Sequence, residues 1–111
     1  MTDIRFKDVS IADGQTTSAA VDLEGGQLCG IYIPAGFDGT SLAISACPTV
    51  DGTFLSLQAA LSASTALSIT TTASRYVPIE NLALVAALKF IKLIAGTQTG
   101  AVTLTLALRN V

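Results

Sequence analysis

Residues 88–108 read LKFIKLIAGTQTGAVTLTLAL, and this stretch decides the fold class. In residues 88–94, Ile and Leu alternate with Lys and Phe, and in residues 101–108, Val and Leu alternate with Thr. Alternation with a period of two is typical of a β-strand that buries one face. The Gly-rich segment at residues 96–100 is typical of a turn. The stretch therefore predicts a pair of strands joined by a Gly-rich loop.

The same alternation recurs toward the N-terminus, between Asp-Gly pairs at residues 13–14, 38–39 and 51–52 that favour tight turns. Further strands are predicted at residues 4–11, 27–33, 41–46, 53–57, 66–72 and 75–79. Eight or nine short strands with little helix predict an antiparallel β-sandwich or jelly roll, in a single domain spanning residues 1–111.

Two segments, 4–11 and 80–88, do not show a simple alternation. The apolar residues of segment 4–11 fit one face only if the alternation slips near Asp8, which predicts a β-bulge there. Segment 80–88, ENLALVAAL, is compatible with one or two helical turns or with an apolar loop that enters the next strand.

Charged residues are scarce. The chain has 14 of them, six basic and eight acidic, where about 28 are typical for this length. A net charge of −2 without a basic cluster argues against nucleic acid as a partner. The chain has no His, which excludes Ser-His and Cys-His nucleophile pairs and the usual zinc sites. We therefore predict no catalytic residue and no cofactor, and we expect that the protein is not an enzyme.

Carboxylates and thiols offer two alternatives that we consider weaker. Asp13, Asp38 and Asp51 could meet at one end of a sandwich and bind calcium, but the Gly after each one already explains them as turn residues. We therefore predict no metal site. Cys29 and Cys47 are expected to be buried free thiols rather than a disulfide. No apolar run is long enough for a transmembrane helix, and we expect no membrane partner.

A surface poor in charge favours association with other proteins. The charge-free stretches at residues 52–74 and 81–88 are therefore predicted to carry subunit contacts, and residues 1–11 are a candidate N-terminal arm that adds a strand to a neighbour. The candidate interface residues are Ile4, Phe6, Leu61, Leu82, Leu84 and Val85.

A family resemblance extends over about three quarters of the chain. The run DLEGGQLCGIYIPAGFDGTSLAISACPTVDGTFLSL (residues 22–57), followed by SRYVPIE and LKFIKLIAGT, resembles the small virion proteins encoded near the major capsid gene of many tailed bacteriophages. The resemblance implies a head decoration (cement) or head-fibre-base protein, with a sandwich or jelly-roll fold and often trimeric. It implies that copies of the chain, the major capsid protein and a head fibre are partners. It also implies a location on the capsid surface after synthesis in the host cytoplasm.

Two functions from different classes remain open at this point. The first is a non-enzymatic virion protein that oligomerises and cements the capsid. The alternative is a receptor- or carbohydrate-binding sandwich on a phage fibre or tail, for which Tyr32, Phe37, Phe54 and Tyr76 are the candidate stacking residues. The low number of aromatic residues, two Tyr, four Phe and no Trp, counts against the alternative.

Overall fold

The chain folds as an antiparallel β-sandwich, as predicted. The computed structural model describes residues 4–58, 66–79, 85 and 88–109. The strands in these residues are β1 (Ile4–Ile11), β2 (Val21–Asp22), β3 (Gln27–Ile33), β4 (Ser41–Cys47), β5 (Leu55–Ser56), β6 (Ile69–Thr70), β7 (Arg75–Pro78), β8 (Phe90–Ile94) and β9 (Val102–Arg109). One sheet has the order β1-β9-β3-β7, and we call it the β1 sheet. The other has the order β2-β8-β4-β5 with β6 also paired to β4, and we call it the β2 sheet.

The strand order is that of a jelly roll. Without the two-residue strand β6, the eight remaining strands, counted along the chain, are ordered 1-8-3-6 in one sheet and 2-7-4-5 in the other. The chain crosses between the sheets at β1–β2, β2–β3, β3–β4, β6–β7, β7–β8 and β8–β9. Each long strand therefore needs only one apolar face, the one toward the opposite sheet.

The core lies between the two sheets. It is built by alternate side chains of the long strands, all less than 2% exposed: Ile11, Leu28, Ile31, Leu104 and Leu106 from the β1 sheet, and Leu42, Ile44, Ile91 and Leu93 from the β2 sheet. Branched aliphatic residues at period two suit this position because their stiff side chains pack well on a pleated surface.

Strands β8 and β9 form as predicted, but they do not pair with each other. Strand β8 pairs with β2 and β4, whereas β9 pairs with β1 and β3. The segment between them crosses from one sheet to the other. Both strands bury their Leu and Ile faces in the same core from opposite sides, which a flat hairpin of the two would not allow.

The predicted bulge near Asp8 is wrong. Strand β1 pairs with β9 in continuous register from Ile4 opposite Arg109 to Ile11 opposite Val102. Without the slip, Arg5 and Lys7 lie on the inner side of β1, in line with Val9 and Ile11. This is possible because β1 is an edge strand, and the basic groups reach a carboxylate at the open rim of the sandwich.

The register shift occurs in β3 instead. Leu28 and Gly30 pair with consecutive residues of β9, Leu108 and Ala107, so that Cys29 is the extra residue. The alternation of residues 27–33 alone predicts that Cys29, Ile31 and Ile33 share the inner face. Because of the register shift, Cys29 does not lie on that face. Cys29 and Cys47 lie in opposite sheets and are free thiols, as expected from the sequence. Cys47 is buried as expected, whereas Cys29 is only half-buried.

Two of the predicted strands form only in part. Segments 53–57 and 66–72 contribute two-residue strands, β5 and β6, rather than strands of five and seven residues. The choice between helix and loop for segment 80–88 lies mainly outside the described residues. Of this segment the structure describes residues 85 and 88.

Candidate functional site

The outer side of the β1 sheet carries a cluster of large apolar side chains. Ile4, Phe6, Tyr32 and Tyr76 are 71, 60, 47 and 43% exposed, and we call these four residues the aromatic face. They lie on the outer side because Arg5 and Lys7 lie on the inner side. The register of β1 thus places the two predicted interface residues of this strand, Ile4 and Phe6, in solvent.

Three rings of the aromatic face pack against one another. The Phe6 and Tyr32 centroids are 6.1 Å apart with an angle of 62° between the ring planes. The Tyr32 and Tyr76 centroids are 4.6 Å apart at 47°. Edge-to-face and tilted contacts of this kind are favourable because the positive ring edge meets a negative ring face. The rings therefore form a raised ridge and not a flat platform.

Small residues lie beneath this ridge. Pairing across the sheet places Ala107, Gly30 and Pro78 in the same row as Phe6. The Tyr76 ring covers Gly30 so closely that a Cβ atom on Gly30 would overlap it, with Cε1 at 2.7 Å. A Gly inside a strand often marks such a close approach.

A groove of about 230 Å³ lies beside the ridge. It is lined by Ile4, Cys29, Tyr76, Ala107, Leu108 and Arg109. The bulge at Cys29 and the short side chain of Ala107 make the depression, and Arg109 supplies a positive charge at its border. The outer side of the sheet therefore combines an aromatic ridge with an adjacent groove.

Polar groups on the outer side are few and mostly paired with one another. Thr105 Oγ1 donates a 2.8 Å hydrogen bond to Asp8 Oδ1, and the hydroxyls of Ser10 and Thr103 are 3.0 Å apart. Burial of the Tyr76 hydroxyl raises its pKa, with smaller contributions from Tyr32 and Cys29. The hydroxyl therefore stays protonated at neutral pH and can donate a hydrogen bond.

The rim beside β1 carries a charge cluster. Glu24 forms an ion pair with Lys7, and Arg5 Nη1 lies 3.8 Å from Glu24 Oε2. The pKa of Glu24 is lowered, chiefly by the hydrogen bond from Lys7. Inward-facing charges at an open strand edge discourage edge-to-edge pairing. The edge of β1 away from β9 has no strand partner in the described part of the chain, so the predicted strand addition to a neighbour would take place there.

A second polar cluster closes the end of the sandwich near residues 96–100. Asp38 Oδ2 accepts hydrogen bonds from Thr99 N at 2.8 Å and Thr99 Oγ1 at 2.6 Å, and Gly100 N donates to Asp13 Oδ1 at 2.9 Å. The two hydrogen bonds from Thr99 lower the pKa of Asp38, with the Thr99 hydroxyl as the largest cause. Two of the three carboxylates considered for calcium thus bind a loop. Within the described ranges no group of three or more acidic, Cys or His residues is placed to hold a metal ion.

The remaining predicted residues have different outcomes. Val85 is fully buried in the hydrophobic core, so its side chain is not available to a partner, which corrects its choice as an interface residue. Leu61, Leu82 and Leu84 lie outside the described residues. Among the candidate stacking residues, Phe37 is buried in the core, and the Phe54 ring has the Lys92 ammonium group 4.5 Å from its centroid.

Sequence reasoning named Tyr32 and Tyr76 separately, but it did not place them beside Phe6 and Ile4. The signal that could have joined them is Gly30, two residues before Tyr32 in a strand. Such a Gly leaves room for a large ring from a neighbouring strand.

Comparisons of the chain with protein-family models, with curated proteins and with solved structures find no match. No helix in the described part of the chain is long and apolar enough to cross a membrane.

Proposed function

We propose that the protein is a non-enzymatic structural protein of a tailed-bacteriophage virion that associates with copies of itself and decorates the capsid. The observation that carries this proposal is the aromatic face. Four large apolar side chains on one sheet face, each 43% exposed or more, form a contiguous patch. Patches of this kind mark contacts between proteins.

The polar composition of the same sheet side supports a protein contact. In the described residues of its outer side, Asp8 and Arg109 are the only charged groups, and they lie at opposite ends of the apolar patch. Protein interfaces are depleted of charge at the centre and enriched in Tyr and Phe. Burying this surface would therefore cost little desolvation of charged groups.

The phage assignment comes from the resemblance of residues 22–57, 74–80 and 88–97 to small virion proteins. On that basis the partners are the major capsid protein and a head fibre, and the location is the capsid surface. The jelly-roll fold is compatible with this role because it occurs in viral capsid proteins. It occurs in lectins as well, so the fold by itself does not choose between the two candidate functions.

The carbohydrate-binding alternative gains one observation, since both Tyr residues and one of the four Phe residues gather on one face. However, the rings are tilted by 47° and 62° and cover one another. A sugar stacks on a flat aromatic surface, whereas these three rings do not share a plane. The ridge fits a protein surface better than a sugar.

Attachment to capsids tests the proposed function. The experiment incubates the purified chain with capsids assembled from the major capsid protein of the same genome and measures bound protein by sedimentation. It also measures capsid disruption on heating. We expect saturable binding and a higher disruption temperature. Phe6→Glu should reduce binding at least tenfold, because a multivalent decoration protein loses avidity when its own association is lost.

The matched control is Val50→Glu, which adds the same charge at an exposed apolar position of the β4–β5 turn. This variant should bind capsids like the unsubstituted chain. No binding by the unsubstituted chain, or binding to a glycan array in its place, would contradict the proposal.

A further inference from the structure

The geometry points to a second copy of the chain as the occupant of the aromatic face, packed face to face around a two-fold axis. This inference deepens the proposed function, on which it rests for its use in assembly, by naming the partner of the face.

Three successive rows cross the outer side of the sheet. The first row pairs Ile4 with Arg109, the second pairs Phe6 with Ala107, and the third pairs Asp8 with Thr105. The second row continues through Gly30 and the third through Tyr32 to Tyr76. The row of Phe6 is therefore the centre of the patch, with the first and third rows at equal distances on either side.

The two charged groups of the outer side are placed symmetrically about this centre. Asp8 lies in the third row and Arg109 in the first, about 13 Å apart along the strands. A two-fold axis along the Phe6 row and across the strands exchanges the first and third rows. Because this axis keeps each strand opposite its own counterpart, Asp8 of each copy then lies in the same row as Arg109 of the partner subunit, one strand or about 4.8 Å to the side. The long Arg side chain spans this offset, and two intermolecular ion pairs result. A contact around a two-fold axis requires this kind of self-complementary surface.

The shape of the face has the same symmetry. The groove beside Arg109 and Cys29 belongs to the first-row side, and the Tyr32 ring belongs to the third row. The two-fold axis that pairs the charges also places the Tyr32 ring of one copy over the groove of the other. Ridge and groove are thus brought together twice in one contact, as close packing requires.

The area of the face corresponds to a weak dimer. Four strands of eight, eight, seven and four residues, spaced about 4.8 Å apart, make a sheet side of about 440 Å². Two such faces in contact bury about 900 Å² in total, which is in the range of weak, transient interfaces. We therefore expect a dimer that dissociates on dilution.

A trimer, which the resemblance implies, would need contacts between two different surfaces of each copy. The aromatic face alone supplies one surface that matches itself. Sedimentation equilibrium distinguishes the two states, because the chain mass is 11.3 kDa and the expected species has twice that mass and not three times.

The test uses charge exchange on the full chain. Asp8→Arg and Arg109→Asp should each raise the dimer dissociation constant at least tenfold, because each places like charges opposite each other. The double variant D8R/R109D should return the constant to within threefold of the original value. This recovery of dimerisation cannot come from an ion pair within one chain, since positions 8 and 109 are about 13 Å apart along the strands.

Two apolar variants provide a second measurement. Ile4→Glu should make the chain monomeric, whereas Leu55→Glu, at an equally exposed position of the β2 sheet, should leave the dimer intact. Circular dichroism confirms that each variant is folded. If Ile4→Glu or Leu55→Glu unfolds, the dissociation constants of the Asp8 and Arg109 variants still test the inference.

Several results would overturn the inference: a chain that stays monomeric up to millimolar concentration, a trimer, failure of D8R/R109D to recover, or equal loss of association in Leu55→Glu. The proposed function fails separately. A dimer that does not bind capsids contradicts only the capsid role, and a monomer that binds capsids contradicts only the two-fold contact.

Discussion

The ring of Tyr76 lies directly over the backbone of Gly30, in the space that any other residue's Cβ would occupy. This contact joins β7 to β3 on the outer side of the sheet, and it holds Tyr76 against Tyr32, whose ring centroid is 4.6 Å away. The aromatic face therefore depends on the absence of one side chain.

Gly30→Ala should displace Tyr76 and lower the free energy of unfolding by about 1 to 2 kcal/mol, because the new methyl group overlaps the ring and the contact with Tyr32 is lost. Urea unfolding measures the stability. Tyrosine emission reports the displacement, since the chain has two Tyr residues and no Trp.

The control is Gly96→Ala, where a Cβ atom meets nothing within 4 Å. In a chain that already carries Tyr76→Ala, Gly30→Ala should lower the free energy of unfolding by a much smaller amount. An unchanged cost in that background would show that the overlap with Tyr76 is not the cause.

The fold class can be predicted from the local alternation of the sequence, whereas the aromatic face cannot. The period-two pattern of residues 101–108 is enough to predict β9 and its buried face. However, alternation does not specify which strand is the neighbour, so the pairing of β8 with β9 was predicted wrongly. The pairing is decided by the complete set of apolar faces that must meet in one core.

The aromatic face is not predicted by the sequence pattern for a related reason. Arg5 and Lys7 can face inward on β1 only because Glu24, on a turn 17 residues after Lys7, reaches the same rim. Tyr32 lies in the row of Asp8 only because of the bulge at Cys29. Both are contacts between segments distant in the chain, which local patterns do not encode.

Gln98 should be among the most sensitive polar positions of the fold. Its side chain is buried and makes three hydrogen bonds of 2.9 Å: it accepts one from Asp38 N and donates to the carbonyl oxygens of Asp38 and Gly96. Gln98→Ala leaves these groups without partners, which should cost about 2 to 4 kcal/mol in urea unfolding.

The control is Thr97→Ala, at the exposed neighbouring position, which should change stability by about 0.5 kcal/mol or less. Gln98→Glu should also be strongly destabilising, because a carboxylate cannot donate to the two carbonyl oxygens. Equal stability of the Gln98 and Thr97 variants would mean that the loop is not held by this amide.

The Asp38 carboxylate should titrate below its ordinary pKa of 3.8, because Thr99 donates two hydrogen bonds to its ionised form. A carboxylate with a lowered pKa in the folded state stabilises the fold above pH 3.8, and this contribution is lost as the pH falls through the lowered value. Carbon-13 NMR of the carboxyl group measures the midpoint.

Thr99→Ala removes the hydroxyl, the largest cause of the lowered pKa, and should move the Asp38 midpoint back toward 3.8. Asp22 provides the internal control. Its pKa is lowered by the backbone N–H of Glu24 and by Lys89, groups that Thr99 does not contact. A shift of the Asp22 midpoint in the same variant would indicate a general change of the fold.

Val85 and Ile4 were predicted to play the same role, and the structure separates them. Val85 is fully buried, whereas Ile4 is 71% exposed. Val85→Ala should lower the free energy of unfolding by about 2 kcal/mol through lost burial and a cavity, and it should leave the dissociation constant of the dimer unchanged. Ile4→Ala should do the reverse, with a change of stability within about 0.5 kcal/mol and weaker association.

The two effects must be measured at different chain concentrations, because association adds to the apparent stability. Urea unfolding is done well below the dissociation constant, where both variants are monomers, and sedimentation equilibrium is done above it. If Val85→Ala weakened association while Ile4→Ala did not, the contact surface would lie near segment 80–88 and not on the aromatic face.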